Sequence, residues 1–141
     1  MNPEDLIQQN KESNRKIRRS IMAFNDYEAT RKQYEDIFSY GDRGKSIRRS
    51  KHGSSCPVCG RTMNYNSHWQ DPAHPSIDHK HPKFLARHLA LNTDNFWVIC
   101  QACNHEKGNK TWPAYEFWLE DKYGINSRQY RAAIAHRPTK I

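Results

Sequence analysis

The chain has 141 residues, with 23 Lys and Arg against 15 Asp and Glu for a formal charge of +8, and only 35% hydrophobic residues. That length predicts one domain, and so little apolar material predicts a small core that needs a staple such as a metal. The charge favours a polyanionic partner, whereas no run approaches the ~18 apolar residues of a membrane span and no basic stretch has a strong apolar face, so no membrane partner is expected.

The opening "MNPEDLIQQN" has neither a basic n-region nor an apolar h-region, so no signal peptide is expected. Asn2 followed by Pro3, Glu4 and Asp5 predicts a helix start, with Leu6, Ile7, Ile17, Ile21 and Phe24 as a broken apolar stripe. Asn25 with Glu28 three residues on predicts the cap of a second helix, whose stripe is Tyr27, Tyr34, Ile37 and Phe38 before Gly41. Gly41 to Ser55 reads as a basic, Gly/Ser-rich linker. Met1 to Lys51 holds 12 basic and 8 acidic residues, with basic peaks at Arg15–Arg19 and Arg43–Lys51. For either peak a solvated helix face and a nucleic-acid contact carry equal weight.

"CPVCGRTM" predicts a turn closed by metal, with Gly60 allowing the reversal. Lys83 to Asp94 reads as partly helical. "NFWVIC" (Asn95 to Cys100) predicts a short strand, and a short helix follows Cys103. Thr111 and Pro113 open a helix through "AYEFWLEDKYG" that Gly124 stops, and Ser127 to His136 predicts a last basic helix ended by Pro138. Trp97, Trp112, Tyr115, Phe117 and Trp118 are expected in the core rather than as base-stacking platforms.

The cysteines form two Cys-x-x-Cys pairs, Cys56/Cys59 and Cys100/Cys103, forty residues apart. Two such pairs predict a tetrahedral Zn²⁺ site of four thiolates, which leaves no open position and is therefore structural. A redox pair explains one Cys-x-x-Cys but calls for no second one. Reduced thiolates point to a cytosol-like compartment. A plain zinc ribbon has only about 15–20 residues between its pairs, so the long insert supports something besides the fold.

That insert carries Asp78, His79, His81 and His88. Adjacent strand side chains point to opposite faces, so Asp78 and His79 divide labour: a carboxylate for a metal and an imidazole for a proton. Asn104 directly follows Cys103, so the zinc clamp fixes its position. An amide oxygen and a carboxylate oxygen suit Mg²⁺ or Mn²⁺, and a neutral histidine beside them suits phosphodiester hydrolysis. His81 and His88 are expected at the surface or substrate edge, since the zinc site is already full.

The ordered set "CPVCG … SIDHKHP … NFWVICQACNHEKGNK" resembles the HNH endonucleases of the His-Me finger (ββα-metal) class that carry a four-cysteine zinc. The resemblance covers about Ser54 to Thr111, with Asn104 where the last histidine of the name usually stands. It implies a small α+β fold with a ββα-metal core stapled by zinc and flanked by N- and C-terminal helices. It also implies Asp78 and Asn104 as ligands of a catalytic Mg²⁺ or Mn²⁺, His79 as general base, and Asn95 as the amide bracing the loop that orients it. Lys107 is implied as a phosphate contact. Lys110 and, from the basic run outside the resemblance, Arg43, Arg48 and Arg49 are expected as further nucleic-acid contacts. The expected organisation is a helical, basic extension over 1–53, a nuclease domain over 54–124 and a basic helix or tail over 125–141. DNA is the expected partner, with a phage or mobile-element protein as a second one, in the cytoplasm. The rivals are a non-catalytic zinc module that binds nucleic acid and a nuclease-like partner subunit.

Overall fold

A computed structural model describes residues 2–38 and 41–140, with the side chains of residues 20–27 outside the described set. Among the described residues it is a small α+β structure of five α-helices and one two-stranded antiparallel sheet. Helix α1 spans Pro3–Phe38 and opens as predicted, with the Asn2 side chain accepting from the Asp5 amide at 2.9 Å. No second helix begins at Asn25, because α1 runs straight through it. The stripe residues Ile21, Phe24 and Tyr27 lie outside the described side chains. Every side chain from Asn2 to Arg19 is exposed, and among the described side chains of α1 Ile37, in its last turn, is buried.

The stretch read as a linker is instead helix α2, Asp42–Arg49, which turns back on α1. The turn depends on two glycines. A Cβ at Gly44 would lie 2.0 Å from the Ile37 carbonyl oxygen, and one at Gly41 would lie 2.1 Å from the Asp36 Cα. Gly44→Ala is therefore expected to cost about 1–3 kcal/mol, the usual penalty of overpacking, read as a lowered urea midpoint. An unchanged midpoint would mean that the α1–α2 corner yields freely.

Strands β1 (Pro75–His79) and β2 (Phe96–Cys100) pair with Asp78 opposite Trp97 and His79 opposite Phe96. Lys83 to Asp94 is partly helical, with 3-10 turns at Arg87–Leu89 and Thr93–Asn95. Helix α3, Gln101–Lys107, follows β2 directly, so the order β1–β2–α3 is a ββα unit. Helix α4 is Trp112–Tyr123, capped by the Thr111 side chain and closed by Gly124; α5 is Arg128–Ala135, capped by Ser127. The core joins Val58, Met63, Ile99, Trp112, Tyr115 and Leu119 to Ala133 of α5. Trp97, Trp112 and Tyr115 are buried as expected, but Phe117 is 72% exposed because it falls on the outer face of α4.

Candidate active site

The zinc-type cluster forms first in the chain's logic. Ser55 and Thr62 make a bridge, and the turn between them closes with the Cys56 amide on the Arg61 carbonyl (2.7 Å) and the Gly60 amide on the Cys56 carbonyl (2.9 Å). Gly60 has φ of 80°, the left-handed region that glycine enters freely. The second pair arrives at the end of β2, where the Cys103 amide donates to the Cys100 sulfur at 3.4 Å and the Cys100 amide donates to the Cys56 sulfur at 3.4 Å. The four sulfur atoms lie within 4.8 Å of one another, Cys59 and Cys100 at 3.6 Å, and no disulfide joins them. Hydrogen bonds from Cys100 and Cys103 hold the Cys56 thiol far below its ordinary value, while the bonds that Cys103 gives to Cys100 and Cys56 push it far above. The cluster by itself thus tolerates the Cys56 thiolate readily and resists those of Cys100 and Cys103. A dication resolves that conflict, and sulfur donors at tetrahedral spacing fit Zn²⁺.

This clamp fixes the end of β2 and the start of α3, and with them a cavity of about 420 Å³ between β1 and α3. Asp78, His79 and Asn104 all line it, although the sequence separates them by up to 26 residues. The His79 Nε2–H donates to the Ala90 carbonyl at 2.8 Å, which leaves Nδ1 as the ring's lone-pair nitrogen. Burial pushes the imidazole below its usual range, so the ring is neutral at pH 7. Asn95 is 3% exposed and clasps the loop after β1. Its Oδ1 accepts from the His81 amide at 2.9 Å, and its Nδ2 donates to the His81 carbonyl at 3.1 Å and the Leu89 carbonyl at 3.4 Å. Both ends of the loop that carries Ala90 are thereby held.

The Asn104 Nδ2 donates to Ser76 Oγ at 2.6 Å, which turns its amide oxygen free. Asp78 is 7% exposed; its Oδ2 accepts from Trp97 Nε1 at 2.9 Å and pairs with Lys107 Nζ at 3.2 Å, while Oδ1 meets the same ammonium at only 3.4 Å. Burial pushes the Asp78 carboxyl up and the Lys107 ammonium down, each opposed by the charge of the other. A weakly held carboxylate oxygen and a free amide oxygen suit a hard divalent ion, which would share Asp78 with Lys107.

Lys107 corrects the expectation made for it. It is fully buried, donates to the His79 carbonyl at 2.8 Å, and does not face the cavity where a phosphate would sit. Lys107→Met should cost about 3–5 kcal/mol, since it strands a buried carboxylate, and Asp78→Asn in the same chain should recover most of it. Urea unfolding reads both; additive losses in the double variant would show the pair to be uncoupled. Lys110 turns its ammonium onto the Glu106 carbonyl at 2.6 Å, and neither it nor Arg43, Arg48 or Arg49 lines the cavity. His81 is likewise not at the surface: it is 7% exposed, with Nε2 on the Thr139 carbonyl at 2.8 Å. His88 is exposed as expected.

Sequence reasoning missed what covers the His79 ring. Phe38 and Tyr34, from the end of α1, lie over the His79 ring with centroids at 4.1 and 5.9 Å, and Lys83 sits 4.0 Å from the Tyr34 ring centre. Lys83 and Tyr34 both line the cavity, together with His105. The Tyr34/Phe38 spacing marked an apolar helix face, but nothing local said that the face lands on residue 79.

No protein-family model matches the chain, and no curated protein matches it. Among solved structures it is similar to the Type II-C Cas9 enzyme from Actinomyces naeslundii, with TM-score 0.41 and 21% identity. That match covers 97% of this chain and 13% of the other. No helix among the described residues is long and apolar enough to cross a membrane.

Proposed function

We propose that the protein is a metal-dependent endonuclease of the HNH type that hydrolyses DNA phosphodiester bonds. The observation that carries this reading is the meeting of His79, Asp78 and Asn104 on one cavity, with the His79 tautomer set by Ala90. In this reading Nδ1 of His79 takes the proton of the attacking water, and the Asn95 clasp keeps the ring aimed. Asp78 and Asn104 would hold Mg²⁺ or Mn²⁺, whose charge would stabilise the phosphate oxygens and the leaving oxygen. Lys107 holds the Asp78 carboxylate in place from behind. In this reading Lys83, an exposed cation that lines the cavity, takes the phosphate-contact role first given to Lys107.

Purified protein incubated with supercoiled plasmid, linear duplex, branched DNA and RNA tests the proposal. Mg²⁺ or Mn²⁺ should permit nicking of DNA, and chelation should stop it. DNA binding with no cutting under any divalent ion would favour the non-catalytic zinc module. The Asp78–Lys107 pair is the one observation on that side, because a buried ammonium already satisfies the carboxylate.

A further inference from the structure

A second cavity of about 560 Å³ lies between α1 and the segment 83–91. It shares two wall residues, Tyr34 and Lys83, with the catalytic cavity, so the two adjoin. Its volume falls within the ~300–1,000 Å³ range of small-ligand sites. Leu91 and Ala90 give it an apolar wall, and Arg87, His88 and Lys83 line it with cationic or protonatable groups. Arg31 also lines it, but Glu28 and Glu35 hold that guanidinium at 2.9 Å each. Directly beside Lys83, Phe84 is 66% exposed and Leu85 is 44% exposed. An exposed phenyl ring next to Lys83 in sequence contributes little to the fold, whereas unstacked bases pack on such rings.

Resting on the nuclease reading, we infer that this second cavity receives an unstacked nucleotide neighbouring the scissile phosphate. Lys83 bridges the two cavities and contacts the phosphate between them. Arg87 neutralises the next phosphate, Leu91 meets the displaced base, and Phe84 covers the stack the base has left. Taking a base out of a duplex costs a few kcal/mol, and least where it is already unpaired. The preferred substrate class is therefore DNA with an unpaired or mismatched nucleotide beside the cut.

The experiment compares a linear duplex with the same duplex bearing a one-nucleotide bulge stepped along the strand. The bulge should speed single-turnover cleavage at least about tenfold when it adjoins the cut, and not elsewhere. Leu91→Trp, which fills the cavity, should erase that preference, and Arg87→Gln, an exposed change with no cost to folding, should reduce it. In parallel, His79→Ala protein is titrated onto the same DNA with 2-aminopurine at each position, and emission should rise several-fold at one position in a Leu91-dependent manner. Equal rates with and without the bulge, or a preference that survives Leu91→Trp, would overturn the inference. Because the fluorescence needs no cutting, base unstacking without hydrolysis would sink the nuclease reading and keep this site. Cutting without unstacking would do the reverse.

Discussion

Replacing His79 by alanine is expected to lower the single-turnover cleavage rate about 10²–10⁴-fold, the contribution of a positioned general base. Zinc content and DNA affinity should stay near those of the parent. The expectation follows from one hydrogen bond and one burial: Nε2 is committed to the Ala90 carbonyl, and burial disfavours the charged form of the ring. Alanine removes the lone pair that accepts the proton and also leaves Ala90 without its donor, so the melting temperature must be recorded beside the rate. A rate loss accompanied by an unchanged melt belongs to chemistry. A variant that turned over DNA at the parent rate would remove His79 from the mechanism, and the neighbouring His105, which lines the same cavity, would become the base to test.

Much of this site was legible in the chain because its signals are local. The Cys-x-x-Cys spacing places two sulfurs on one turn, Asp78 and His79 are adjacent, and Asn104 touches Cys103 in sequence. Helix α4 was legible for the same reason, since Thr111, Pro113 and Gly124 each act within one turn. What escaped is tertiary. Tyr34 reaches His79 across 45 residues of chain, and no periodicity in α1 names the surface on which it lands. The α2 segment looked like a linker because three of its eight residues are arginine and one is glycine; Gly44 is there to let the backbone approach α1, not to loosen the chain. Lys107 shows where a closer reading had purchase. It stands four residues after Cys103, on the face of α3 that must look toward the sheet, so its inward direction was implied once the zinc was accepted. Its partner Asp78 was read only as a ligand, and a buried carboxylate needs a counter-charge whether or not a metal is bound.

Serine in place of all four cysteines is expected to abolish cooperative unfolding altogether. A structural zinc in a small domain contributes about 10–16 kcal/mol of apparent binding free energy, while a whole domain has only about 5–15 kcal/mol of net stability. The loss therefore equals or exceeds all there is to lose. The geometry says what would fail first. Cys100 ends β2, and its sulfur receives the Cys103 amide in the first turn of α3, so releasing it loosens the strand end and the helix start together. Val58, inside the first pair, and Met63, just after it, pack in the same core as Trp112 and Tyr115, so that core opens as the clamp does. Asp78 and Asn104 then lose their common frame, although neither touches the sulfurs. The measurement is a thermal melt by circular dichroism with zinc quantified in the same sample. Chelation series separate the two metals: cutting should stop, and recover with Mg²⁺, at chelator levels that leave the melt unchanged, and only stronger chelation should flatten it. A quadruple serine protein that melted cooperatively at the parent temperature would show that the apolar core holds the fold unaided and that the cysteine cluster serves some other end.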